Sequence, residues 1–288
     1  MSHRTIAPEK EGCERAAAFR REHHLGNQPL SDLAAVIEQT TRIDVAVLES
    51  PEGEHGITMQ DPGRTGYYIA VAKTTNPMRQ RSSLAHELAH VLFEDGWENA
   101  GTTWDSRRPE EMRADSFARH LLIPQDGLKA FLGESRADSE SALSSVVQRF
   151  LVSPAIAGIA LEQAGYIDAR TKTAWKGIYA PRLASRFGWM DQYRALQSDS
   201  DRTRAPQRLL ARAVRAYEEG LVPAQAIANL RNLPLETVSN ELGEAGITPK
   251  TVDAEWADAS TLPTVSVDLD ELDADLKGMW EDARGSGE

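Results

Sequence analysis

His86 and His90 stand four residues apart in the apolar segment 83–93, with Glu87 directly after the first of them. On an α-helix, residues i and i+4 lie on one face, one turn apart, so a single Zn²⁺ could take a ring nitrogen from each. Glu87 would then flank the metal's open position, as a His-Glu-x-x-His helix requires. A zinc ion so bound lowers the pKa of its water towards ~7, and the neighbouring carboxylate takes the proton as the oxygen attacks a peptide carbonyl. The competing reading of these residues is an amphipathic helix that happens to carry two surface histidines.

Two histidines do not close a zinc site, and the spacing narrows where a third ligand could lie. A metzincin-type extension would need Gly at 93 and His at 96, but these positions hold Phe93 and Gly96. Glu94 lies a further helical pitch of ~5.4 Å beyond His90, too far to complete a tetrahedron. The stretch 110–120, Glu-Glu-Met-Arg-Ala-Asp-Ser-Phe-Ala-Arg-His, is the better source. There Glu111, Ala114, Asp115 and Ala118 share one helix face, and the two alanines would allow close packing on the His helix. Glu111 then supplies the third ligand. Asp115, one turn on, can hydrogen-bond the free ring N–H of a ligating histidine and so fix its tautomer. The alternative for Glu110 and Glu111 is an acidic first turn that complements the helix dipole. His120 falls about 180° from Glu111 and should face away from the metal, in a structural or surface role. His55 and the His23–His24 pair have no ligand spacing around them and are expected on the surface.

The elements that must position these residues can be read from pattern. Residues 9–23 read as an exposed charged helix. Ser31 or Asp32 can cap a helix running to about residue 40. Segments 42–49, 56–60 and 65–73 read as strands, with a turn signal at Asp61-Pro62-Gly63-Arg64, and together predict a small antiparallel sheet. Asn76-Pro77 opens the His helix, which should stop near Gly96. After an irregular loop at 97–108, helices are expected at 110–123, 125–132, 139–150 and 154–164. The pattern is weak from 171 to 201, and a second helical group follows at 205–219, 223–231 and 235–244.

Composition bounds the rest. With 288 residues, 41% hydrophobic and 26% charged, the chain suits one substantial core plus a smaller satellite. The N-terminal stretch has no apolar h-region, and no segment is apolar for long enough to span a membrane, so neither secretion nor membrane insertion is expected. A lone Cys13 fits a reducing cytoplasm and leaves any metal to histidine and carboxylate. The net charge of −12 is uneven: residues 253–288 hold 11 acids against Lys277 and Arg284, or −9, which leaves −3 for the first 252. A near-neutral body offers no general attraction to nucleic acid.

Several stretches taken together resemble the ImmA/IrrE metallopeptidases. They are Tyr68-Ile69-Ala70-Val71, the run Arg79-Gln80-Arg81-Ser82-Ser83-Leu84-Ala85-His86-Glu87-Leu88-Ala89-His90, Glu111-x-x-Ala114-Asp115-x-Phe117-Ala118, and Leu121-Leu122-Ile123-Pro124. The likeness covers roughly residues 30–165. It implies an α+β, gluzincin-like zinc fold, with His86, His90 and Glu111 as metal ligands and Glu87 as the base. Members of that family make a targeted cut in a partner transcriptional repressor of bacteria, phages or mobile elements. His120 stands where the family commonly has an acidic residue, and the chain beyond 250 has no counterpart in it. The implied organisation is an N-terminal helical extension (1–26), a zincin-like metallopeptidase domain (27–168), a mostly helical domain (169–250) and an acidic, flexible tail (251–288).

Two segments have helix-turn-helix shape, 141–167 and 224–246. Neither second helix carries Lys or Arg, which reading DNA would need, so both are expected to serve packing or protein docking. In the tail, Leu269, Leu272, Leu276 and Met279 form one apolar stripe among acids. It is either a solvated end or a segment that folds into a groove. The expected protein is therefore a cytoplasmic zinc endopeptidase whose partner is a protein, with no membrane and no direct nucleic-acid contact. The rival readings are a non-catalytic docking module that keeps the metal fold, and a DNA-binding regulator using residues 141–250.

Overall fold

Asn76 and Pro77 start the central helix as the sequence predicts. The Asn76 side chain accepts a hydrogen bond from the Arg79 N–H at 3.2 Å, and Pro77 occupies the first turn, where its missing N–H costs nothing. The resulting helix α3 (Pro77–Phe93) ends when Glu94 turns left-handed at φ 54°, earlier than the expected stop near Gly96. The computed structural model describes residues 7–50, 56–60, 66–95, 108–134 and 136–250. Met1–Pro249 form one compact unit, and Lys250–Glu288 are assigned to a second. The 61–64 turn, His55, most of the 97–108 loop and the acidic tail lie outside the described residues.

The first unit is α+β. Ahead of α3 come α1 (Pro8–Glu22), α2 (Leu33–Thr41) and the strands β1 (Asp44–Leu48), β2 (Gly56–Gln60) and β3 (Tyr67–Ala72). Asp32, not Ser31, caps α2, accepting from the Ala35 N–H at 2.9 Å. The sheet departs from the antiparallel expectation. Its order is β1-β3-β2, with β1 parallel to β3 and β2 antiparallel to it, so it is mixed. Strand patterning reports which face is buried but not which neighbour a strand chooses, and β3 inserts between the two strands that precede it. Val45, Val47, Ile69 and Val71 bury one face of the sheet beneath the helices, while Ile57 and Met59 on β2 stay about half exposed.

α4 (Pro109–Leu122) lies between α1 and α3. α4 packs against α3, and Ala85 and Ala89 on α3 and Ala114 and Ala118 on α4 are all buried. On its other side α4 meets α1 at Gly12, where a Cβ would fall 2.4 Å from the Arg113 carbonyl oxygen. The expectation of an exposed helix at 9–23 is therefore corrected: Gly12, Ala16, Phe19 and Arg20 are buried. Two small residues at the crossing let backbone contact replace the apolar side chains that a periodicity argument looks for. His120 faces α1, as its angle from Glu111 implies, and is buried there. Its Nε2 lies 3.1 Å from Glu9, which also accepts from Gln163 at 2.9 Å and pairs with Arg119. Burial alone would raise the Glu9 carboxyl, but these partners outweigh it and hold it at about 2.

The remaining helices continue the same core. α5 (Gln125–Leu132), α6 (Glu140–Phe150) and α7 (Pro154–Gln163) fall close to their expected ranges. The weak stretch 171–201 folds as α8 (Ala169–Ala174), α9 (Ala180–Phe187) and α10 (Met190–Ser200), with Trp175, Leu183, Trp189 and Tyr193 in the core. α6 and α7 meet at 106° and bury Val146, Val147, Phe150 and Leu161, so this helix-turn-helix shape serves packing. A small second cluster, Ile227, Ala228, Val238 and Leu242, joins α12 (Ala224–Arg231) and α13 (Leu235–Glu244), with α11 (Gln207–Glu218) packed against it. Arg208 clamps this group to β1 through a two-pronged pair with Asp44 at 2.8 and 2.9 Å. Among the described residues, no single helix is long and apolar enough to cross a membrane.

Two buried arginines fasten the layers. Arg20 donates to the carbonyls of Leu121, Gly26 and Gln28. Arg81, on the face of α3 that packs inward, donates to Leu151 at 3.1 Å, Ser31 at 2.6 Å and Leu30. Burial pulls both guanidinium groups down to about 10. Replacing Arg81 with Met keeps the packed stem but strands those three carbonyls. A buried acceptor left unpaired costs ~1–3 kcal/mol, so Arg81→Met should lower unfolding stability by about 3 kcal/mol. Urea denaturation of the two proteins measures this directly.

Candidate metal centre

α3 and α4 bring three donors to one point. His86 Nε2 and His90 Nε2 are 3.0 Å apart, and Glu111 places one carboxylate oxygen 3.2 Å from the first and the other 3.7 Å from the second. Donors around a tetrahedral zinc stand about 3.3 Å from one another, given Zn–N distances near 2.0–2.1 Å. His86, His90 and Glu111 thus form a group that can hold a metal ion. The side chains are largely but not wholly covered, so the cluster keeps some contact with solvent.

The far ring nitrogens explain why the near ones converge. His86 Nδ1 lies 3.0 Å from Asp115 Oδ1, and His90 Nδ1 lies 2.8 Å from Asp95 Oδ2. A carboxylate facing Nδ1 keeps the proton there, so both Nε2 lone pairs point at Glu111 and at each other. Such a cluster repels itself unless a positive charge sits among the donors, and a proton plays that part when no cation is bound. Burial would lower the His86 pKa, but Asp115 and Glu111 at its two nitrogens outweigh that and raise it to about 9. Glu111 is held below the usual carboxylate range by its hydrogen bond with His86. For Asp95, burial pushes upward, yet His90 and Arg113 bring it below its ordinary value.

Glu87 sits on the inner side of α3, only 6% exposed. Its Oε2 accepts the Thr58 hydroxyl hydrogen at 2.6 Å, so the edge strand β2 orients the carboxylate. A Cβ on Gly56 would lie 2.7 Å from Glu87 Oε1, so a side chain at that strand position would displace the carboxylate.

The sequence-derived set His86, Glu87, His90, Glu111 and Asp115 is assembled in one place. Glu94 forms the left-handed cap of α3 and is absent from the donor group. Glu110 pairs at 3.7 Å with Arg108 near the surface, outside it as well. Sequence reasoning missed Asp95, Thr58 and Gly56. Asp95 lies five residues after His90, and only the left-handed turn at Glu94 folds it back to the ring. Thr58 and Gly56 reach Glu87 across a strand, which no spacing rule encodes.

The comparisons agree with this architecture. No curated protein matches the chain. Residues 40–162, from the end of α2 to α7, match the family model for peptidase M78, the IrrE N-terminal-like domain. The matched segment contains α3, α4 and every donor described above. Residues 40–162 are thus similar to the IrrE N-terminal-like domain of the M78 peptidases, the family that the sequence motifs resemble.

Proposed function

We propose that the protein is a cytoplasmic, zinc-dependent endopeptidase that makes a targeted cut in a bacterial or mobile-element regulatory protein. A helix-turn-helix transcriptional repressor is the substrate class implied by the family resemblance. The observation that carries this reading is the meeting of His86, His90 and Glu111 beside a buried Glu87. In it the three convergent side chains are the zinc ligands, Asp115 fixes the His86 ring, and Glu87 is the general base.

Zinc held there would polarise the scissile carbonyl and acidify water at the open position. Glu87 accepts the proton from the attacking water and returns it to the leaving amine, while the Thr58 hydrogen bond holds the carboxylate on that line. A substrate strand can lie along β2, whose outer side pairs with no other strand among the described residues. Neither helix α7 nor helix α13 bears Lys or Arg, which favours a protein partner over DNA.

Metal content tests the ligand set. Glu111→Ala should lose zinc on dialysis, whereas Glu110→Ala should keep it; full occupancy in Glu111→Ala by elemental analysis would remove Glu111 from the site. The same titration carries a pH signature. With His86 raised to about 9 in the metal-free protein, zinc must displace a proton at neutral pH. Affinity should therefore climb as pH rises from 7 towards 9 and flatten above it.

Activity tests the base. Glu87→Gln should retain zinc and fold but cut at least ~10²–10⁴-fold more slowly. Gly56→Ala, which crowds Glu87 without touching a ligand, should lower kcat while leaving zinc content intact. Near wild-type cleavage by Glu87→Gln would sink the mechanism.

The substrate class is tested by incubating the zinc-loaded protein with helix-turn-helix repressors, beginning with any that a neighbouring gene encodes. A discrete cut, abolished by chelator and absent with Glu87→Gln, is expected. An intact repressor that binds the protein tightly would favour the docking-module reading.

A further inference from the structure

The most heavily charged contact near the site lies behind it. Asp95 holds His90 Nδ1 with one carboxylate oxygen and receives Arg113 Nη2 on the other. Arg113 donates its second arm to Glu11 of α1 at 3.3 Å and lies over the Phe93 ring at 4.6 Å. Its Nε is the one buried side-chain polar atom without a hydrogen-bond partner among the described residues. A guanidinium that leaves a buried N–H unpaired is placed by its other contacts, and here those are a carboxylate at each terminal nitrogen and an aromatic face. The line Glu11–Arg113–Asp95–His90 thus runs from a helix that precedes the family-matched segment to a metal-facing imidazole.

We propose that Asp95 is the positioning residue of His90, and that Arg113, anchored by Glu11, fixes the Asp95 carboxylate in the orientation that aims His90 Nε2 at the metal. The proposal rests on the metal-binding reading above. Its chemistry is that of a carboxylate–histidine pair: the hydrogen bond keeps the proton on Nδ1, orients the ring and raises the basicity of Nε2. Asp95 alone could rotate its carboxylate to solvent or swing it towards the cation. Arg113 prevents both by occupying Oδ1. Glu11 keeps Arg113 from withdrawing all of the charge that Asp95 offers to the ring. On this view α1, which neither supplies a ligand nor lies in the matched segment, sets how tightly the metal is held.

The experiment measures zinc dissociation constants by chelator competition for the full-length wild type, Asp95→Asn, Glu11→Gln and the double variant. The His90 Nδ1–H resonance is followed in the zinc-loaded proteins by NMR. Asp95→Asn should weaken zinc binding by about 10–100-fold and remove or shift the slowly exchanging Nδ1–H signal. Glu11→Gln should weaken binding several-fold in the wild-type background and add nothing once Asp95 is replaced. If Asp95→Asn cannot be purified folded, Glu11→Gln decides alone, and an affinity within twofold of wild type overturns the proposal. An Asp95→Asn protein with unchanged affinity and an unchanged Nδ1–H signal overturns it while leaving the metal reading intact. A wild-type chain that binds no zinc overturns both.

Discussion

The close approach of α4 to α3 is the constraint on which the site depends. A tetrahedral cation allows its ligands only about 3.3 Å of separation, so a carboxylate from one helix must reach imidazoles on another across the thickness of two backbones. Buried alanines on both helices, Ala85 and Ala89 on α3 and Ala114 and Ala118 on α4, suit that close approach. Gly12 does for the other side of α4 what the alanines do for the first, allowing α1 to press the Glu111 helix from behind. The convergence of His86, His90 and Glu111 thus depends on how closely α4 packs against its two neighbouring helices.

Around that sandwich the chain uses two kinds of polar fastening with different tasks. Arg20 and Arg81 are buried against backbone carbonyls and tie loops to helices, so their replacement acts on folding. Asp115, Asp95 and Thr58 are hydrogen-bonded to His86, His90 and Glu87 of the candidate site, so their replacement acts on how those groups point. The distinction is visible in what each side chain touches, and it separates variants expected to lower stability from those expected to lower metal affinity or rate.

What the sequence made legible follows from the range of the interactions concerned. His86, Glu87 and His90 are fixed by spacing within one helix, and Glu111 and Asp115 by spacing within the next, so local periodicity found them all. The helix caps at Asn76 and Asp32 were readable for the same reason. Strand order was not, because the choice of β3 as common partner depends on where α3 lies over the sheet. α1 was misjudged because Gly12 and Ala16 bury backbone instead of apolar side chain. Asp95 escaped notice because a left-handed Glu94 brings it back to the ring, and no helical spacing describes that path.

The two edges of the sheet are treated differently. On β1 the outer backbone groups of Val47 are paired with Arg204 in both directions, which closes that side to any further strand. On β2 no strand caps the outer side among the described residues, and Ile57 and Met59 stay about half exposed on one face beside it. An edge that can receive a peptide can equally receive the same edge of another molecule, because backbone pairing does not distinguish the two. Self-association through β2 would place a second chain across the approach to Glu87.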